Sequence, residues 1–256
     1  MDTLLYISAG ASVGFAVGLT GIGGGSLMTP LLLLFGFPTH IAIGTDLLYA
    51  ALTKVSGVWV HHQQKSVNWQ LVKLLCLGSI PATLATVFLL KYLFTGSDHY
   101  SPILTTCLGF MLTLTALVLI FSNKLSKLQF YNRKILSGNR LKYFTVLMGM
   151  VLGVLVTLSS VGAGALGTAI LLLIYPTLVP VRVVGTELAH AVPLTLVAGL
   201  GHTLLGNVDF NLLGSLMIGS VPAIYFGTKI GKYLPEKVMR MILAIILLVL
   251  GIHYLI

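Results

Sequence analysis

The sequence predicts an all-α polytopic membrane protein with an inverted two-fold repeat and two re-entrant or broken helix hairpins. Hydrophobic residues make up 57% of its 256 residues and charged residues only 8%, whereas soluble domains carry about 25% charged residues. Apolar stretches long enough to cross a hydrocarbon core of about 30 Å occur along the whole chain. Glycines, a carboxylate, a histidine and a proline also recur together at a spacing of 141 residues. The composition excludes a soluble fold, and the recurrence indicates two related halves.

The repeat is ungapped from the first glycine-rich segment to the fourth apolar segment of each half. The matches are Gly21 and Gly23 with Gly162 and Gly164, Gly44 to Leu47 with Gly185 to Leu188, His61 with His202, Val67–Asn68 with Val208–Asp209, and Gly78 to Ala82 with Gly219 to Ala223. Chance alignment of apolar helices would match leucines and valines, but not these polar residues together. The chain therefore divides into a first transmembrane repeat (residues 1–121), a basic cytoplasmic linker (122–142) and an inverted second repeat (143–256).

Each half is predicted to begin with a broken pair of helices and to continue with three full spans. The pairs are residues 4–20 with 27–37 and 143–159 with 166–175, and the spans are residues 41–60, 71–90, 103–121, 183–205, 212–226 and 238–256. The 11 residues of 27–37 reach only about 16 Å, which is half of the hydrocarbon thickness. We therefore expect re-entrant hairpins. Each half then crosses the membrane an odd number of times, and the second half is inverted, as in many secondary transporters.

The basic residues indicate orientation, because lysines and arginines collect in cytoplasmic loops. With the linker in the cytoplasm, 13 of the 15 lysines and arginines lie inside, and Asp2, Asp98 and Asp209 lie outside. We expect a multi-pass protein of the cytoplasmic (inner) membrane with both termini outside. This bias accounts for the net charge of +9, so the expected surroundings are lipid and no nucleic-acid partner is predicted.

The remaining global features predict neither a cofactor nor a metal. Cys76 and Cys107 lie in separate apolar segments without CxxC spacing, which favours packing roles over a disulfide or a metal site. The apolar N-terminal segment (residues 1–20) begins with Asp2 and has no basic residue, so we expect a retained helix and not a signal peptide.

Two glycine-rich segments are predicted to line a substrate cavity. They are the first glycine loop (residues 20–26) and the second glycine loop (residues 159–167). Non-helical backbone at membrane depth is tolerated only where protein or a water-filled cavity supplies hydrogen bonds. The half-helix after each loop offers free N–H groups and a partial positive charge, which favour an anion. The predicted substrate-binding residues are Gly21, Gly23, Gly24, Gly25, Ser26, Thr45, Ser160, Gly162, Gly164, Gly167 and Thr186. A close-packed helix contact is the alternative.

Ionisable residues inside the predicted spans are candidates for proton coupling or charge pairing. Asp46 and Glu187 occupy matching positions, and a carboxylate within a span costs about 2.5–3.5 kcal/mol on insertion scales. The alternative is that each caps its own helix. Lys54 follows Asp46 two turns later on the same face and is expected to neutralise Asp46 or the substrate, unless it snorkels to the cytoplasmic surface. Its counterpart is Thr195.

The histidines divide into one deep residue and one matched pair. His190 lies three residues after Glu187, where the two side chains can share a proton. His61 and His202 lie at opposite membrane surfaces in the predicted topology, so polar helix-end caps are favoured over proton carriers. His61 and His62 are adjacent, but without clustered carboxylates or cysteines they do not indicate a metal site.

Several of these motifs occur together in one known family. They are the glycine loop followed by Pro30, the segment Gly44 to Leu47, and His61 with Val67–Asn68, which recurs as His202 with Val208–Asp209. In these features nearly the entire chain resembles the sulfite exporter TauE/SafE family of membrane transporters. The resemblance implies export of small sulfur-containing anions such as sulfite, sulfoacetate or related organosulfonates. The chain differs from the family pattern at Asp46 and Glu187, where many members carry serine.

The favoured hypothesis is a proton-coupled secondary transporter whose halves rock around a small anionic substrate. An uptake permease or channel for another small anion, with the same architecture, is the alternative. An intramembrane hydrolase is disfavoured, because the sequence contains no HExxH, no GxGD and no serine elbow with a usable histidine. The buried carboxylates argue against an assembly factor without flux. The oligomeric state is left open, with a homodimer as one option.

Overall fold

The computed structural model describes residues 2–20, 27–93, 97–131, 138–231, 233 and 236–255. Within these ranges the chain is helical and contains no strand, as predicted. The helices are α1 (Asp2–Thr20), α2 (Met28–Leu34), α3 (Thr39–Gln63), α4 (Trp69–Leu93), α5 (Ser97–Tyr131), α6 (Asn139–Ser159), α7 (Ala165–Ile174), α8 (Pro180–Leu204), α9 (Phe210–Gly231) and α10 (Glu236–His253).

Six of the described helices are long and apolar enough to cross a membrane, namely α3, α4, α5, α6, α8 and α9. This confirms the prediction of a multi-pass membrane protein. The set differs from the predicted spans at two places. The sequence predicts α6 as part of a hairpin, but the helix begins at Asn139, before the apolar stretch, and is therefore long enough to cross. Among the described residues, helix α10 forms a shorter apolar helix, Arg240–His253.

Helix α5 extends into the predicted linker. It continues past Phe121 to Tyr131, and α6 begins at Asn139. Residues 122–131 contain no glycine or proline, so nothing in this stretch ends a helix. With 35 residues, α5 is about 50 Å long and exceeds the hydrocarbon thickness. Helices α5 and α6 therefore extend into the two ends of the predicted linker, and the linker's cytoplasmic position stays a prediction.

The two short helices occupy the predicted places after the glycine loops. Helix α2 has 7 residues and α7 has 10 residues, so they reach only about 10 Å and 15 Å. Helix α6 ends at Ser159 and α7 starts at Ala165, with non-helical backbone between them. Ser160, Gly162 and Gly164 there have positive φ angles of 57°, 110° and 148°. These angles are incompatible with a continuous helix, so the second pair of helices is broken.

The first helix of each half packs against the other half. Helix α1 runs parallel to α9, with Gly10 against Leu216 and Gly14 against Ser220. Helix α6 runs parallel to α4 in the same manner, with Gly149 against Leu75 and Gly153 against Ser79. The partners in α9 and α4 are 141 residues apart, and the glycines in α1 and α6 are 139 apart. The same helix contact is thus built twice from small residues.

Matching helices of the two halves pack against each other in opposite directions. In the α3–α8 pair, Gly57 lies against Leu188 near the start of α8, and Leu48 lies against Gly199 near its end. Helices α5 and α10 also pack in an antiparallel way, with Gly109 close to Tyr254 and Thr113 close to Gly251. In the predicted repeat α8 and α10 are the counterparts of α3 and α5, and both of these pairs are antiparallel.

Gly153→Ala is expected to destabilise the protein, because the added Cβ would meet the backbone of Ser79 in α4. Overpacking of this kind costs about 1–3 kcal/mol of unfolding free energy. The matched control is Gly214→Ala in α9, where a Cβ meets nothing within 4 Å and the better helix propensity is favourable. Thermal unfolding in detergent should show a lower Tm for Gly153→Ala only. Equal Tm values for the two variants would contradict the close α4–α6 contact.

Candidate functional site

The predicted site residues of the first glycine loop, Gly21, Gly23, Gly24, Gly25 and Ser26, lie outside the described residues. The structure places the remaining predicted residues on α3, α8 and the second glycine loop. The side chains of Asp46, Lys54, Glu187 and His190 are all buried. Ionisable side chains are therefore concentrated inside two helices that are long enough to span a membrane. Burial of such groups within a membrane costs free energy, and the residues that carry them are usually functional.

Asp46 connects three separate parts of the chain. Its Oδ2 accepts hydrogen bonds from the Thr29 hydroxyl at 2.5 Å, from the Thr29 backbone N–H at 3.2 Å and from the Ser160 hydroxyl at 3.0 Å. Its Oδ1 is buried and has no hydrogen-bond partner among the described residues. The carboxylate lies in the second turn of α3, whose first residue is Thr39. Its bonds thus join α3 to the first turn of α2 and to the second glycine loop, and do not cap its own helix.

Glu187 has the equivalent relation to α7. The side chain is only 2% exposed, and its carboxylate interacts with the backbone N–H of Gly164, the residue before α7. Its Oε1 lies against the Cα of Gly167, where an added Cβ would be only 2.8 Å away. Among the described residues Oε1 also has no hydrogen-bond partner. Each carboxylate of the repeated motif is therefore positioned at the start of the short helix in its own half.

Lys54 interacts both with these carboxylates and with the second glycine loop. It is 5% exposed, and its Nζ donates a hydrogen bond to the Ala163 carbonyl at 3.0 Å. It also interacts electrostatically with Glu187 and Asp46. A lysine that snorkels would carry its ammonium to the surface, whereas this ammonium stays buried. The position on α3 thus supplies one positive charge to a site that contains two carboxyl groups.

Three of the buried ionisable side chains hold the second glycine loop. Asp46 binds Ser160, Lys54 binds Ala163, and Glu187 interacts with Gly164. Two of the three come from α3 in the first half of the chain. A non-glycine residue with positive φ, such as Ser160, persists only where its surroundings hold it, and here its hydroxyl contacts Asp46. The conformation of the loop therefore depends on charged groups from both halves.

The two threonines of the repeated motif form hydrogen bonds that connect the two halves of the chain. The Thr45 hydroxyl oxygen accepts a hydrogen bond from the backbone N–H of Asp209 at 3.2 Å, and Thr186 accepts one from Asn68 at 2.9 Å. The neighbouring glycines contact the same turns, with Gly44 against Asn207. Both threonines are fully buried. In the structure these motifs hold α3 and α8 against the turns that precede α9 and α4.

The buried histidines have different surroundings. His190 Nε2 lies 2.9 Å from the Ser79 hydroxyl, while its Nδ1 has no partner among the described residues. His202 Nε2 lies 2.9 Å from the Thr157 carbonyl, and its Nδ1 lies 3.1 Å from the Asn207 amide nitrogen. The carbonyl can only accept, so Nε2 carries the proton and donates it, while Nδ1 accepts from Asn207. This engaged, neutral ring is consistent with a structural helix-end role.

Three groups at the site were not identified from the sequence. Thr29 supplies two hydrogen bonds to Asp46, Ala163 supplies a carbonyl to Lys54, and Ser79 lies next to His190. Ser79 belongs to the repeated Gly78 to Ala82 segment, which was a usable signal. Thr29 corresponds to Ile170 in the second half, so the repeat gave no reason to select it.

Comparisons with known proteins agree with one another. A family profile described as sulfite exporter TauE/SafE matches residues 6–254. The chain is 36% identical over 247 residues to the probable membrane transporter protein YjnA of Bacillus subtilis, covering 96% of this chain and 97% of that protein. The probable membrane transporter protein YdhB of the same organism is 29% identical over 237 residues, covering 89% and 90% of the two chains. No solved structure matches the chain.

Proposed function

The chain belongs to the sulfite exporter TauE/SafE family, a family of membrane transporters, and from this premise we propose that it is a proton-coupled secondary transporter of small sulfur-containing anions. Sulfite, sulfoacetate and related organosulfonates are the proposed substrates, and export from the cytoplasm is the proposed direction. One observation carries the proposal. Two buried carboxyl groups and one buried ammonium group meet at a broken helix within the membrane domain.

The proposed anion site lies at the second glycine loop and, by the repeat, at the first. Ser160, Gly162, Gly164 and Gly167 are the proposed contacts in the second loop, because backbone N–H groups at the start of α7 favour an anion. Gly21, Gly23, Gly24, Gly25 and Ser26 are proposed for the first. Thr45 and Thr186 already hold turns of the opposite half, so their proposed contribution is to position α3 and α8 around the anion.

Asp46 and Glu187 are the proposed proton carriers, with Lys54 and His190 as their charged or polar neighbours. A carboxyl group can take up and release a proton as its surroundings open to one side of the membrane and then to the other. The free oxygens Asp46 Oδ1 and Glu187 Oε1 provide a place for the proton on each group. The surplus of one carboxyl group over the one ammonium group at this site leaves one carboxylate that a proton or another cation can neutralise.

The inverted repeat is the proposed frame for alternating access. Antiparallel packing of α3 with α8 and of α5 with α10 supports opposite orientations of the halves. The break between α6 and α7 and the shortness of α7 support a hairpin that turns the chain back towards its own side, although α6 by itself is long enough to cross. An odd number of crossings in each half then leaves both termini outside the cytoplasmic membrane.

This topology predicts that Ser97 and Asn207 face outside and that Ser137 and Lys237 face the cytoplasm. Because Asn207 is buried, the exposed Phe210 at the start of α9 takes its place. Single cysteines at positions 97, 137, 210 and 237, in a background that lacks Cys76 and Cys107, should react with a membrane-impermeant maleimide in intact cells only at positions 97 and 210. Labelling of all four sites in permeabilised cells is the control. Reaction at 137 but not at 97 in intact cells would reverse the proposed orientation.

The function is tested by flux of labelled sulfite in proteoliposomes. We expect sulfite flux above that of protein-free liposomes, and we expect an imposed pH gradient to drive it against the sulfite gradient. Flux that only dissipates the sulfite gradient and ignores the pH gradient would favour the alternative, a channel or uptake permease of the same architecture. Absence of flux for sulfite, sulfoacetate and other organosulfonates would refute the proposed substrate class.

A further inference from the structure

The start of α7 is occupied by one of the protein's own carboxylates. A helix of this length carries a partial positive charge at its N-terminus, and its free N–H groups favour an anion. Glu187 interacts with the N–H of Gly164, and its Oε1 lies against Gly167 in the first turn. The place that the proposed function gives to the transported anion is therefore filled by an internal anion.

The hydrogen bonding of Glu187 is incomplete in this position. The residue is 2% exposed, and Oε1 has no partner among the residues that the structure describes. A buried charged oxygen without a hydrogen bond is costly, so this state is favourable only when nothing better occupies the site. The unpartnered oxygen indicates that a further group, a proton or a ligand, binds here during the working cycle.

The cation of the site faces the same loop. The Lys54 ammonium donates to the carbonyl of Ala163, which directly precedes Gly164, and it interacts electrostatically with Glu187. A neutral carbonyl is a weaker acceptor for an ammonium group than an anion is. Since Lys54 is also buried, it can exchange this carbonyl for an incoming anion without leaving the site.

We propose that the Glu187 carboxylate and the transported anion compete for the start of α7, and that Lys54 is the counter-ion of whichever anion is bound. This inference rests on the proposed function. A proton on Glu187 removes the internal negative charge and allows the substrate to contact the loop N–H groups and Lys54. When the substrate leaves, the proton leaves and the carboxylate returns. Proton and anion are then carried together, because the site holds a single negative charge at a time, and export from the cytoplasm runs when the outward gradient of the anion exceeds the inward gradient of protons.

The other charged and titratable groups around Glu187 define its electrostatic environment. Lys54 on α3 interacts electrostatically with Glu187 and also with Asp46, and His190 lies one turn after Glu187 on α8. His61 packs against Gly185, two residues before Glu187 on α8. The counterpart of Lys54 in the second half is Thr195, which is buried and uncharged. The competition therefore belongs to the second glycine loop, and the repeat does not duplicate it in the first.

The test is equilibrium binding of labelled sulfite to the purified full-length protein at neutral pH. Glu187→Gln removes the competing charge and should increase the affinity for sulfite about tenfold or more. The apparent affinity of the wild type equals the intrinsic affinity multiplied by the fraction of time that the site is free of the internal competitor. For labelled sulfoacetate, whose charge does not change near neutral pH as that of sulfite does, rising pH should weaken binding to the wild type and leave the variant unaffected. Thr195→Val is the matched control and should bind as the wild type does. Weaker or unchanged binding by Glu187→Gln would overturn the competition.

Lys54 is tested in the same assay. Lys54→Met should reduce the affinity for sulfite about tenfold or more, and Lys54→Arg should restore most of it, because the cation is kept. If Lys54→Met does not fold, the double variant Asp46→Asn/Lys54→Met keeps the balance of charges and should show the same loss. Wild-type affinity in the charge-balanced variant would exclude Lys54 as the counter-ion.

The two proposals fail in distinguishable ways. Sulfite flux by the wild type without tighter binding by Glu187→Gln would refute competition and leave transport in place. Tight binding by Glu187→Gln without flux by the wild type would refute sulfite transport and support competition. Neither flux nor binding in any variant would refute both.

Discussion

Asp46→Asn and Glu187→Gln are each expected to abolish proton-driven sulfite flux while leaving a folded protein that binds sulfite. An amide has nearly the shape of a carboxyl group, but it cannot take up and release a proton at working pH. In Asp46→Asn the amide oxygen can still accept hydrogen bonds from Thr29 and Ser160, which bind Asp46 in the wild type. In proteoliposomes with an imposed pH gradient, flux should therefore fall to the level of protein-free liposomes in each variant and in the double variant.

The control for this prediction is sulfite exchange without a pH gradient, which tests whether the site still opens to both sides. Exchange that continues in the variants would locate the defect in proton coupling. Proton-driven flux of wild-type size in the double variant would instead exclude both residues as proton carriers. Passive anion permeation would then be the better account of the protein.

Gly164→Val should abolish transport while the protein remains folded in detergent. Gly164 has a φ of 148°, which valine rarely adopts, and its N–H faces the Glu187 carboxylate. The added side chain both strains the loop and occupies space at the start of α7. Sulfite flux should fall by about 100-fold or more, as expected when the geometry of a binding site is lost. By the repeat, Gly23→Val in the first glycine loop should have the same effect.

Gly206→Val is the matched control for backbone strain. Gly206 also has a positive φ, 76°, but a Cβ there meets nothing within 4 Å, and the residue lies in the turn after α8. Thermal unfolding should show a reduced Tm for both variants, whereas only Gly164→Val should lose flux. Unchanged transport kinetics in Gly164→Val would remove the anion site from the second glycine loop.

Much of the fold could be predicted because the bilayer imposes strong constraints on sequence. The apolar stretches had to lie in helices, since lipid offers no partner for backbone hydrogen bonds. The short segments after the glycine loops could be recognised by length alone. Helix ends were less predictable. Helix α5 continues to Tyr131 because loss of apolar character marks the edge of the hydrocarbon and not the end of a helix.

The sequence was sufficient to select the charged residues of the candidate site, but not to predict which groups they contact. Asp46, Lys54 and Glu187 stood out because ionisable residues within spans are rare. Their partners Thr29, Ala163 and Gly164 are ordinary residues, and which of them a carboxylate reaches depends on packing between distant segments. The internal alternative, that each acid caps its own helix, was reasonable at the level of the sequence. Only the three-dimensional arrangement assigns the acids to α2 and α7.

The exchange of first helices between the halves, α1 onto α9 and α6 onto α4, has the form of a domain swap within one polypeptide. A half expressed alone would leave the small-residue faces of two helices uncovered, and we expect it to assemble with a second copy in the opposite orientation. The swap also restricts the rocking motion that we propose for transport. Each rigid body that moves must combine helices from both halves, so the boundary between the moving parts does not follow the boundary between the repeats.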